Sequence, residues 1–166
     1  MKSLILDSSV CIDLHHGGLL LVVLQLGYTA MIPDVILSEL NDPPGSEFEA
    51  LGYGSVSLSG EEVAEITFLQ RQYPKLSVKD AFALRCSIKT SGTLLAGDHD
   101  LRIAATAENV EVHGVLWILD ELVKSHLLRA RDAKMALEQI LANKARLPKY
   151  ECETRLTTWG KEDLET

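Results

Sequence analysis

Apolar residues along this chain come in short unbroken runs that alternate with longer stretches spaced at three and four residues. Leu4-Ile5-Leu6 is one such run, closed by Asp7-Ser8-Ser9, and reads as a buried strand followed by a helix cap. The helix is expected over 9–26, with a break at Gly17-Gly18 and a stop at Gly27. A second strand is expected over 28–32, and Pro33-Asp34 then opens a helix through Asn41, because proline suits a helix start. Asn41-Asp42-Pro43-Pro44-Gly45-Ser46 closes that helix. Over 45–60 the pattern is weak, and Val56-Ser57-Leu58 is its best strand candidate by alternation.

Beyond it the rhythm is regular. Ser59-Gly60-Glu61-Glu62 starts a helix that Pro74 ends. Ser77-Val78-Lys79-Asp80 resembles a capping box and opens a helix to about Thr90, which Gly92 stops. Strands are expected over 93–96 and 110–113, with helices over 99–108, 115–128 and 131–145; the tail from Pro148 is polar and gives no pattern. Strands alternating with helices imply parallel pairing and right-handed crossovers. The expected fold is a three-layer α/β/α domain with a central parallel sheet of four or five strands and a C-terminal helical extension.

Composition narrows the class. With 166 residues, 46% hydrophobic and 24% charged, the chain supports one core and excludes a disordered protein. Three cysteines without a CxxC pair fit neither a disulfide framework nor a zinc ribbon, and point to a reducing cytoplasm. Cys11 and His15 share a helix spacing, but two ligands do not make a zinc site. The apolar run 19–24 falls far short of the ~20 residues that span a bilayer, so no membrane association is expected. That run and Val115-Leu116-Trp117-Ile118-Leu119 serve either core packing or an interface, to a second copy in a homodimer or to a partner's helix.

The net charge of -8 argues against a uniformly basic nucleic-acid surface. Residues 1–120 hold 7 Lys+Arg against 16 Asp+Glu, whereas residues 121–166 hold 9 against 8, so the acidity is concentrated in the first three quarters. Four acids stand out by position. Asp7 and Asp98 each follow a strand and should share the carboxyl edge of the sheet, where open parallel sheets place their sites. Glu39, four residues after Val35 and three after Ile36, shares a face with apolar side chains. Asp80 lies in the first turn of a largely apolar helix. Helix capping explains Asp7, Asp80 and Asp98 individually, and a boundary position explains Glu39. Should the four converge, two bare carboxylates about 4 Å apart repel by ~4 kcal/mol at an effective dielectric of about 20, so they require protons or a cation. Oxygen-only ligands favour Mg²⁺ or Mn²⁺, ions that act on phosphates.

The ordered set resembles the PIN domain family of metal-dependent ribonucleases. The matching segments are Leu4-Ile5-Leu6-Asp7-Ser8-Ser9-Val10, Ile32-Pro33-Asp34-Val35-Ile36-Leu37-Ser38-Glu39-Leu40, Ser77-Val78-Lys79-Asp80-Ala81-Phe82-Ala83-Leu84 and Leu94-Leu95-Ala96-Gly97-Asp98-His99-Asp100-Leu101-Arg102. The resemblance implies a PIN-like nuclease domain over 1–128, with 129–166 as a helical extension of the same domain. It also implies an acidic pocket that binds Mg²⁺ or Mn²⁺ and cuts single-stranded RNA. Asp7, Glu39, Asp80 and Asp98 take the family's acidic positions, as metal ligands or, for Glu39, in placing the attacking water. Ser8 and Ser9 match small polar positions that orient a water or cap the helix. Asp100 stands behind the ligands or caps its helix. Lys79, Arg102 and Lys89, with basic residues of the C-terminal helical hairpin over about 115–145, are the expected RNA contacts.

Ala96 departs from the pattern, standing where many members carry Thr or Ser two residues before the fourth acid. The family includes toxins of bacterial toxin–antitoxin pairs, so a protein antitoxin is one expected partner. The alternative is a catalytically inactive module that binds RNA or a protein. Phosphatase and receiver-type domains also place Asp after the first strand. They fit poorly, because Ser9 stands where the former expects a second Asp and no acidic pair precedes Asp7 or Asp98 as the latter requires.

Overall fold

A computed structural model describes residues 1–165. Five strands form one all-parallel sheet: β1 (Ser3–Leu6), β2 (Thr29–Pro33), β3 (Gly54–Val56), β4 (Thr93–Leu95) and β5 (Val112–His113), in the order β3-β2-β1-β4-β5. Helices α1 (Ser8–His16) and α2 (Leu20–Val23) connect β1 to β2, and α3 (Asp34–Glu39) and α4 (Gly45–Leu51) connect β2 to β3. The chain crosses back through α5 (Gly60–Gln72) and α6 (Val78–Thr90), and α7 (His99–Ala107) joins β4 to β5. Helices α8 (Val115–Lys124), α9 (Ala130–Ala142) and α10 (Lys149–Glu165) follow. The fold is thus the expected three-layer α/β/α architecture, with a helical C-terminal segment.

The continuous apolar run of β1 has a direct cause. It is the middle strand, paired with β2 on one side and β4 on the other, and Leu4, Ile5 and Leu6 are all fully buried. From β1 the chain winds outward through β2 and β3, then returns to place β4 on β1's other side. The crevice between the carboxyl ends of β1 and β4 is therefore the topological switch point, where ligands bind in such sheets.

Several local expectations are corrected. The long helix expected over 9–26 is two helices and a 3-10 turn (Leu24–Leu26), divided around Gly17-Gly18, where Gly18 has φ +67°. The helix after Pro33 ends at Glu39 instead of Asn41, and the third strand is Gly54–Val56 instead of 56–58. Helix α4 lies in a stretch whose prolines and glycine read as a loop. Gly45 is needed there because a Cβ would sit 2.2 Å from the Leu37 carbonyl oxygen, and the helix then buries Phe48 completely. The patternless tail is helix α10, whose buried contacts are Cys152 and Trp159, a stripe too thin to register as periodicity.

The apolar stretches offered as interfaces are mostly spent on the core. Leu19, Leu20 and Val23 are buried, as are Val115, Leu116, Ile118 and Leu119, while Leu21 is exposed. Cys11, Cys86 and Cys152 are buried and unpaired. No single helix among the described residues is long and apolar enough to cross a membrane.

Candidate active site

Asp7 is the residue that the fold buries most deliberately. Its backbone N–H donates to the Leu95 carbonyl (3.0 Å), continuing the β1–β4 ladder, so its side chain emerges at the switch point level with Ala96. It occupies the cap position of α1 but makes no side-chain cap bond, so the capping explanation fails here. The residue is only 5% exposed. Burial pushes its carboxyl up to about 6; the Ser8 backbone N–H opposes the rise, Asp80 and Asp98 add to it, and Lys79 opposes it.

Asp80 and Asp98 do cap their helices, and each does so with one oxygen. Asp80 closes a capping box with Ser77: its N–H donates to Ser77 Oγ (3.1 Å) while its Oδ2 accepts from the Ser77 N–H (3.0 Å). Asp98 Oδ2 accepts from the Leu101 N–H (2.9 Å). Capping and ligation are therefore compatible, because the bond that fixes each carboxylate leaves its second oxygen available.

Glu39 is corrected. Its side chain is 53% exposed, turned out from the apolar face at the last residue of a short α3, and it pairs with the Lys79 ammonium. That hydrogen bond raises the Lys79 pKa, with further support from the charges of Asp7 and Asp80. Glu39, Lys79 and Ser8 line a cavity of about 300 Å³. Asp7, Ser9 and Asp98 line a second one of about 560 Å³. Asp100 faces Lys75 at 4.0 Å, and Arg102 borders a third cavity that shares Gly97 and His99 with the second. Lys89 is not brought to the site: nine residues, roughly 14 Å of helix, separate it from Asp80. It binds the Ser57 carbonyl oxygen and Glu62 instead.

Asp13, His99 and Arg146, which the sequence did not single out, also line the second cavity, as does Lys144 at the end of the C-terminal helical hairpin. Burial pushes Asp13 up to about 6. A signal for Asp13 was present, since Ser9, Asp13 and His16 repeat at four- and three-residue spacing and all three line the cavity. Lys144 and Arg146 arrive on the loop between α9 and α10, which no local pattern could place at the site.

Among the described residues, no group of three or more His, Cys, Asp or Glu side chains is drawn close enough to hold a metal ion as it stands. The donor chemistry nonetheless suits a hard cation. A buried carboxylate without a capping bond is repelled by two other carboxylates, each holding an oxygen free, and Mg²⁺ characteristically keeps several waters in place of protein ligands. Ala96 is fully buried, and its N–H donates to the His113 carbonyl, so the position contributes only backbone and a methyl group.

A family model described as a PIN domain matches residues 3–161. A search among curated proteins finds no significant match.

Proposed function

The chain belongs to the PIN domain family, whose members are generally nucleases, and we propose that it is a Mg²⁺- or Mn²⁺-dependent endoribonuclease that cuts single-stranded RNA. The observation that carries the reading is Asp7: a buried acid at the switch point, without a cap bond, facing Asp80 and Asp98. Asp7, Asp80 and Asp98 are the residues that would hold the ion, and Glu39 would join them or place the attacking water. A divalent ion bound there would supply a water activated near neutral pH and offset the charge of the phosphate.

The chain's own groups prepare that chemistry. The bonds from the Ser77 and Leu101 N–H groups fix two carboxylates before any ligand arrives, which limits reorganisation during reaction. Ser8 and Ser9, in the first turn of α1, line the two cavities, Ser8 with Glu39 and Lys79 and Ser9 with Asp7 and Asp98. Lys79 pairs with Glu39 within the field of Asp7 and Asp80, where its charge would meet a phosphate.

The alternative, an inactive RNA- or protein-binding module, is favoured by the open arrangement of the acids and by Ala96. Two measurements separate the readings. Calorimetry with Mn²⁺ should show binding to the wild type and loss of binding in Asp7→Asn, and labelled single-stranded RNA should be cut only by the wild type with metal. RNA cleavage that survives Asp7→Asn together with Asp98→Asn would overturn the nuclease assignment, and absence of Mn²⁺ binding would favour the module. For a toxin role, the distinguishing observation is a short neighbouring reading frame that encodes a DNA-binding antitoxin.

A further inference from the structure

The acid pocket is one end of a longer groove. The 560 Å³ cavity that holds Asp7 and Asp98 shares Asp13, Gly97, His99, Arg146 and Leu147 with a neighbouring cavity of about 630 Å³. This second part runs past Arg102 on α7 to His113 and Trp117, at the junction of β5 and α8. Its opposite wall is the loop 143–148.

The charges in the groove are not equivalent. Arg155 grips Asp120 with two bonds, Nε to Oδ1 at 2.9 Å and Nη2 to Oδ2 at 2.7 Å, and its Nη1 lies 4.0 Å from Glu151. Arg155 thereby offsets the charge of Asp120, Glu151 stands at its margin, and Asp13 belongs to the end beside Asp7 and Asp98. Arg102 and Arg146 are exposed on opposite walls, and no ion pair engages either among the described residues. The far end carries an aromatic wall: the His113 and Trp117 rings stack at 4.3 Å between centroids and 7° between planes.

We propose that this groove binds single-stranded RNA on one side of the cleavage site, with Arg102 and Arg146 holding backbone phosphates and the His113–Trp117 pair stacking a base. The inference rests on the nuclease reading for its choice of polymer. Guanidinium groups present planar forks that match phosphate oxygens, and aromatic surfaces hold unpaired bases without sequence preference. A duplex hides its base faces, so the aromatic wall favours an open strand.

The test uses the full chain carrying Asp7→Asn, in Mg²⁺, and fluorescence anisotropy of a labelled single-stranded oligoribonucleotide. Adding Arg102→Gln and Arg146→Gln should weaken binding about tenfold or more. It should also make the log-affinity against log-salt line shallower by about 1.4, at about 0.7 for each lost phosphate contact. The melting temperature should hold, showing that the fold is intact, and the same RNA as a duplex should bind more weakly. Unchanged affinity and salt dependence in the Gln variant, or no binding by its parent, would overturn the groove; equal binding of duplex and single strand would overturn the aromatic wall. Binding through the groove without any cleavage by the wild type would leave this inference standing and remove the nuclease reading. Cleavage by the wild type with no loss of binding in the Gln variant would do the reverse.

Discussion

The Lys79 ammonium pairs with the Glu39 carboxylate in a cavity that Ser8, the neighbour of Asp7, also lines. A resident cation thus occupies the field of the acids, drawn up in pKa by Glu39 first and by Asp7 and Asp80 as well. Removing it exposes the acids to an incoming ion. Lys79→Gln should therefore tighten Mn²⁺ binding by roughly 3- to 10-fold while weakening RNA binding. Calorimetry of the metal and anisotropy of the RNA should move in opposite directions.

Asp80 tests whether cap and ligand can be separated. Asn retains a side-chain oxygen for the Ser77 N–H, so Asp80→Asn should keep stability within about 0.5 kcal/mol and still lose Mn²⁺ binding. Asp80→Ala should lose both, with about 1 kcal/mol of stability gone from the broken box. Denaturant unfolding beside calorimetry distinguishes them; Mn²⁺ bound normally by Asp80→Asn would leave Asp80 a structural cap alone.

Asp7 should cost the metal-free protein stability. Its carboxyl stands at about 6 instead of 3.8, which corresponds to roughly 3 kcal/mol of unfavourable charge at neutral pH. In EDTA near pH 7.5, Asp7→Asn should raise the unfolding free energy by roughly 1 to 3 kcal/mol. With saturating Mn²⁺ the order should reverse toward the wild type, since a ligand of the folded state stabilises it.

How far the sequence carried these expectations differs from residue to residue. The central strand was legible because burial on both faces makes Leu4-Ile5-Leu6 continuous, and Asp7 and Asp98 followed because a parallel sheet aligns its carboxyl ends. Ser77 and Asp80 declared their box through spacing. Glu39 was legible only as a choice between the apolar face that its phase suggests and a boundary position, and the boundary holds because α3 stops at that residue and releases the side chain toward Lys79. Helix α4 was hidden by prolines that serve its entry, with Gly45 packed on the Leu37 carbonyl. Arg146 was invisible because its place depends on how α9 and α10 lie against the rest of the chain, which is a property of tertiary packing and not of local pattern.

Asp13 gives a pH prediction. Its pKa is raised to about 6 by burial, so between about 4 and 6 the unfolded chain releases a proton that the folded one keeps. Fewer protons on the unfolded state means that stability falls as pH rises through that window and levels off above it. In EDTA, Asp13→Asn should make this part of the stability profile shallower, with Asp7, raised over the same window, supplying the slope that remains, as followed by urea unfolding at intervals from pH 4 to 7. An unchanged slope would mean that Asp13 is solvated like an ordinary surface acid.

The most direct measurement is the rate of single-stranded RNA cleavage as Mn²⁺ is titrated, for the wild type and for Asp7→Asn in parallel. Catalysis at the acid pocket predicts no cleavage by the wild type in EDTA, a saturable rise with Mn²⁺, and a rate at least about a thousandfold lower in the variant, on the scale of losing a main electrostatic contributor. Cleavage that persists in EDTA, or that is equal in the two proteins at saturating Mn²⁺, would contradict it.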